Sequence, residues 1–117
     1  MGGTHPASGI SFEGAFLLEV IQTFLLMFVI VCVATDSRSV GSLAGVAIGA
    51  TVTLASLMGG PLTGSSMNPA RTLGPAIIDG SDPHLALYML APPIGALLGA
   101  FAYQLIRGDT GADVASP

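Results

Sequence analysis

Lysine and tryptophan are missing from this chain altogether, and cysteine occurs once. Its 117 residues carry three arginines and seven carboxylates, so charged residues make up 9%. A soluble domain has about 25%. So sparse a charge cannot cover a water-facing surface, and a soluble globular domain is excluded. With no lysine and a formal charge of −4 there is no basic stripe to neutralise phosphates, which removes nucleic-acid binding. Cys32 has no partner for an internal disulfide. With His5 and His84 it makes no metal-ligand cluster, and no metal or cofactor is expected. The start of the chain has neither the basic-then-apolar pattern of a secretory signal nor a myristoylation signature.

What is present is apolar and rich in glycine: 51% hydrophobic residues, 16 glycines and a mean hydropathy of +0.78. Residues 1–12 read as a loop or tail. Residues 14–34 form an uninterrupted apolar tract of about 21 residues, roughly 31 Å as a helix, enough to cross a hydrocarbon core of about 30 Å. A polar turn at 35–39 leads to a second charge-free tract at 40–58, and a third tract occupies 85–106. The expectation is an all-α membrane protein with three transmembrane helices, integral and multi-pass, ending in a polar tail at 108–117. In the second tract Gly41, Gly45 and Gly49 recur every fourth residue. They remove side chains from one helix face, so a neighbouring backbone is expected to pack there. Gly95 and Gly99 repeat the pattern in the third tract, where Pro92 and Pro93 are expected to bend the helix or end a wider first turn.

The segment 59–80 is too apolar for an exposed loop and too broken by Gly and Pro for a spanning helix. It fits a re-entrant element, which membranes tolerate only where it is buried in protein or lines a watery cavity. Residues 69–78 allow about ten residues of helix, roughly half a membrane. Asn68 followed by Pro69 specifies the start: Asn is a preferred N-cap, and Pro at the first helical position has no N–H to leave unsatisfied. With its side-chain oxygen spent on the cap, the Asn68 amide is left to donate outward. Arg71 adds a full positive charge where the helix dipole is already positive, an unfavourable place. It admits two readings, a side chain snorkelling to the headgroups or a cationic filter that repels protons and other cations. Glu19, one turn into the first span, also admits two: a structural carboxyl holding the amides of the irregular segment 60–67, or a proton carrier in a coupled transporter. No nucleophile–base pair suggests catalysis, so an enzyme is not expected.

Residues 59–76, above all Ser66-Met67-Asn68-Pro69-Ala70-Arg71-Thr72-Leu73-Gly74-Pro75, resemble the second Asn-Pro-Ala segment of the major intrinsic proteins, the aquaporin and aquaglyceroporin family. The likeness extends to Glu19, Thr23 and Phe24, the Gly-rich second span and the closing span. Residues 13–107 thus look like the second half of such a channel, one half of an aquaporin-like right-handed bundle. The resemblance implies that Asn68, Pro69 and Ala70 are the signature triplet, that Arg71 is the filter arginine, and that Ser65 and Ser56 occupy two further filter positions. It also implies that Glu19 holds the re-entrant loop. A small Ser56 where water-restricted members often have His implies a wider opening, nearer the channels for glycerol, urea or metalloid hydroxides, and the local sequence is similar to the nodulin-26-like branch. The function implied is passive permeation of water and small uncharged solutes with exclusion of protons and ions. The alternatives are half of a proton-coupled transporter using Glu19, or a non-conducting fragment.

Arg38 and Arg107 fall on one side of a three-span chain, and the positive-inside rule assigns that side to the cytoplasm. A single half-helix has no wall opposite it, and transport folds of this kind are completed by an inverted repeat. No repeat lies within these residues. The expected partner is therefore the complementary N-terminal half or another half-channel chain, with the chain read as a fragment of a protein about twice its length. The family resemblance further implies a tetramer of complete pores.

Overall fold

The computed structural model describes residues 2–35 and 41–107. The turn at 36–40, with Arg38 and the orientation argument that rests on it, and the tail at 108–117 lie outside the described residues. Helix α1 (Phe12–Thr35) opens on Ser11, whose hydroxyl accepts the Gly14 amide at 3.1 Å, an N-cap bond of the ordinary kind. A single 3₁₀ turn, Gly41–Leu43, leads into α2 (Ala44–Thr63). The short α3 (Pro69–Asp79) follows, then the long α4 (Leu85–Arg107). The stretches Phe12–Thr35, Gly41–Thr63 and Leu85–Arg107 are each long and apolar enough to cross a membrane. At 11 residues α3 spans roughly 16 Å, half the requirement. Among the described residues there is no strand, and the chain is an all-helical membrane protein with three spans and a half-helix.

Three sequence expectations meet different outcomes here. The second helix runs to Thr63 rather than stopping at residue 58, straight through Gly59, Gly60 and Pro61. Its end is set by Gly64, which takes φ 83° and returns its amide to Gly60 O at 2.9 Å, a left-handed C-terminal cap. A proline inside a helix costs about 3 kcal/mol, and tertiary bonds made by this last turn offset it: Thr63 Oγ1 donates to Glu19, and Tyr88 Oη donates to Thr63 O at 2.6 Å. Helix α4 likewise continues unbroken through Pro92 and Pro93. The glycine stripe of the second span has no neighbour among the described residues, since a Cβ on Gly41, Gly45 or Gly49 would meet nothing within 4 Å.

The close approach occurs instead between α1 and α4. A Cβ on Gly95 would run into Val20 O, and one on Gly99 would lie 2.5 Å from Phe24 O. Helix α1 is central, packed extensively along α4 and less along α2, while α3 rests on α4. Ala15, Leu87 and Tyr88 form the small apolar core, with Ile10 and Phe16 against it. Lower in the same seam Phe28 meets Tyr103 edge to face, centroids 6.3 Å apart. The interior also holds many polar groups, Glu19, Gln22, Thr23, Thr63, Ser65, Ser66 and Thr72, whereas large apolar side chains such as Leu57, Leu97 and Ile78 point outward. That inversion suits a chain whose surroundings are lipid and whose irregular segment must find its hydrogen bonds inside.

Candidate functional site

Residues 65–67, between the Gly64 cap of α2 and the Asn68 cap of α3, have no helix to satisfy their amides. Ser65 (φ 46°) and Met67 (φ 53°) both adopt left-handed backbone, a conformation uncommon for residues with a side chain. Tertiary bonds hold them there. Glu19, fully buried on α1, accepts the Ser66 amide and the Thr63 hydroxyl on Oε1 at 2.9 and 2.8 Å, and the Met67 amide on Oε2 at 2.9 Å. Arg71 reaches back from the first turn of α3, its Nη1 donating to Gly64 O at 2.9 Å and Ser65 O at 2.7 Å. The segment is thus clamped from both sides, amides by a carboxyl group and carbonyls by a guanidinium. No carboxylate among the described residues forms an ion pair with Arg71, so its charge is matched by peptide dipoles rather than by an opposite ion.

Asn68 is the N-cap of α3. Its backbone is extended, its Oδ1 accepts the Ala70 amide at 2.9 Å, and Pro69 fills the first helical position. Asn68 lines a cavity of about 590 Å³, and its amide nitrogen keeps two protons to donate. That cavity brings together Asn68, Pro69, Arg71, Ser65 and Ser56. Ala70 and Glu19 do not line it; Glu19 sits behind the loop. Apolar side chains line it as well, Leu26, Met27 and Ile30 from α1 and Val52 from α2.

Several supporting residues were not legible as site residues in the sequence. Thr4, Thr72 and Ser66 form a buried run of hydroxyls, 2.6 Å between Thr4 and Thr72 and 2.7 Å between Thr72 and Ser66, ending in Ser66 Oγ donating to Asn68 O at 2.7 Å. Thr4 packs over Gly64, and the Ala7 amide closes on Leu62 O at 2.8 Å, so the stretch read as a tail is part of the site's support. Only the excess of hydroxyls around residues 63–72 hinted at such a network. Thr23 and Met67 line the cavity as well.

The family description Major intrinsic protein matches residues 1–103, and the chain belongs to that family. Among relatives, nodulin-26 of Glycine max is 55% identical over 105 residues, covering 90% of this chain and 38% of its own length. Aquaporin NIP3-1 of Arabidopsis thaliana is also 55% identical over 105 residues, with 90% and 32% covered, and aquaporin NIP3-1 of Zea mays is 52% identical over 106 residues, with 91% and 35% covered. The chain therefore spans 32–38% of the length of these relatives.

Proposed function

We propose that the chain forms half of a passive transmembrane channel for water and small uncharged solutes such as glycerol, one that excludes protons and other cations. The observation that carries this reading is the cavity whose lining joins Asn68, Arg71, Ser56 and Ser65 to apolar side chains of α1 and α2. Such a surface offers hydrogen-bond donors to neutral oxygen-bearing solutes and a positive charge against cations. Asn68, Pro69 and Ala70 form the capped end of the half-helix, Arg71 is the cationic filter, and Ser56 and Ser65 set the width of the passage. Glu19 supports the loop. Its two oxygens are engaged by three donors and do not line the cavity, which disfavours a proton carrier exchanging with the passage. The names of the relatives, aquaporins among them, point to the same activity. A complementary half closes the open side, complete pores assemble as a tetramer, and the plasma membrane is the site of action.

The test grafts the chain into soybean nodulin-26 in place of the stretch it matches, so that the relative supplies the remainder, and measures osmotic swelling of proteoliposomes. Water and glycerol flux without any pH gradient, with no accompanying proton flux, is the expected result. Flux that requires a pH gradient would identify a coupled transporter instead, and a folded chimera with no flux would identify a non-conducting fragment.

A further inference from the structure

Gln22 is the one side chain among the described residues whose polar atoms are buried without a hydrogen-bond partner, both Nε2 and Oε1. It is 4% exposed and lies on α1 one turn from Glu19, next to the cavity-lining Thr23. A glutamine buried in an apolar seam with nothing to bond is unfavourable, so a buried amide calls for a partner close by. The backbone of α2 shows where. The Gln22 amide fills the space over Gly59 that a Cβ would occupy, with Nε2 the nearest atom to that point, and Ser65 Oγ lies 2.9 Å from the same point. Two polar groups from different elements thus converge over one bare glycine. Their chemistry is complementary: Ser65 Oγ gives its proton to Ala55 O at 3.1 Å and keeps lone pairs, and Gln22 Nε2 has two protons to donate.

We propose that Gln22 is a specificity-determining positioning residue of the pore, its amide joined to the Ser65 hydroxyl over Gly59 by a small side-chain rotation or through one water. Ser65 is the residue through which it acts. Ser65 has left-handed backbone, its carbonyl receives the shorter of the two Arg71 bonds, and it lines the cavity together with Ser56 of α2. Fixing the Ser65 hydroxyl therefore fixes both the width of the passage at that level and the seat of the Arg71 guanidinium. Gly59 has a stated role in this arrangement, since any larger residue would expel the amide from its place. The inference rests on the reading of Ser65 and Arg71 as filter residues.

The experiment measures water and glycerol permeability of the nodulin-26 chimera carrying Gln22→Met, Ser65→Ala, or both. Met keeps the length and bulk of Gln and removes the donor. Gln22→Met is expected to change the glycerol-to-water ratio by about two- to tenfold, the rate equivalent of one net hydrogen bond, with unfolding temperature in detergent unchanged within a few degrees. Ser65→Ala is expected to change it as well, and the double variant to match Ser65→Ala alone, because Gln22 acts through the hydroxyl that Ala removes. A shift from Ser65→Ala without one from Gln22→Met overturns the inference and leaves the filter reading standing. No shift from either, nor from Ser56→His, overturns the filter reading and the inference with it. Additive effects of the two changes show independent roles and also overturn it. If Gln22→Met does not assemble, Gln22→Leu is read by the same ratios. A Gly59→Ala variant provides an independent arm, expected to reproduce the Gln22→Met ratio by displacing the amide, and an unchanged ratio there counts against the proposal.

Discussion

Glu19 and Arg71 hold adjacent pairs of residues in one four-residue segment, with opposite polarity. The carboxyl group of Glu19 takes the amides of Ser66 and Met67, and Arg71 takes the carbonyls of Gly64 and Ser65. Glu19→Ala strands two backbone donors at about 1–3 kcal/mol each. Glu19→Gln keeps one acceptor oxygen and turns its NH₂ toward a donor, so it should lose less. Thermal unfolding of the chimera in detergent should rank wild type above Gln22-intact Glu19→Gln and that above Glu19→Ala, with Glu19→Gln still conducting. A folded Glu19→Gln that conducts nothing would instead revive the proton-carrier reading. For Arg71 the expected result of Arg71→Ala is unchanged or raised glycerol flux together with a new cation leak, because a positive charge facing the cavity is lost. Arg71→Lys separates charge from geometry. It retains the cation and loses the planar fork, so it should keep ions out while its solute flux changes, a contrast readable with a potential-sensitive dye in the same vesicles.

At the scale of elements, the placement of glycine decides which helices touch. Gly95 and Gly99 let α4 approach the carbonyls of α1 so closely that no side chain fits between them. Gly99→Val should therefore force the two helices apart and destabilise the fold by about 1–3 kcal/mol or more, as overpacking does. The same change at Gly49, which meets nothing among the described residues, should leave its stability nearly unaltered. If Gly49→Val destabilises the completed channel but not this chain alone, the α2 stripe is covered by the other half. Denaturation in detergent of both forms gives the comparison. The half-helix depends on its own ends: Asn68 caps one, and Gly80, with φ 88° and its amide on Ala76 O, closes the other.

Taken whole, the molecule keeps its hydrogen bonds inside and its apolar side chains outside, with an open cavity along one side. A passage needs walls all round. In liposomes this chain alone should raise water permeability no further than the bare lipid, while the chimera should raise it clearly. Swelling rates of the two preparations at matched protein content provide the check. Conduction by the chain alone would require copies of it to pair as half-channels.

The three spans, the half-helix starting at Asn68 and the family likeness were all written in local sequence. An apolar tract of the right length has one stable solution in lipid, and Asn-Pro is a helix start by its own stereochemistry. The end of α2 was not, because Gly59, Gly60 and Pro61 look like a break, and only the bonds from Thr63 to Glu19 and from Tyr88 to Thr63 make it worthwhile for the helix to continue to Gly64. The same holds for the glycines. Their spacing is alike in α2 and α4, and which stripe meets a backbone is decided by how α1, α2 and α4 are arranged in space. Thr4 over Gly64, the Thr4–Thr72 hydroxyl pair and the approach of Gln22 to Gly59 join residues separated by tens of positions. Such contacts carry no periodicity and no local signature, so the tertiary structure alone decides them.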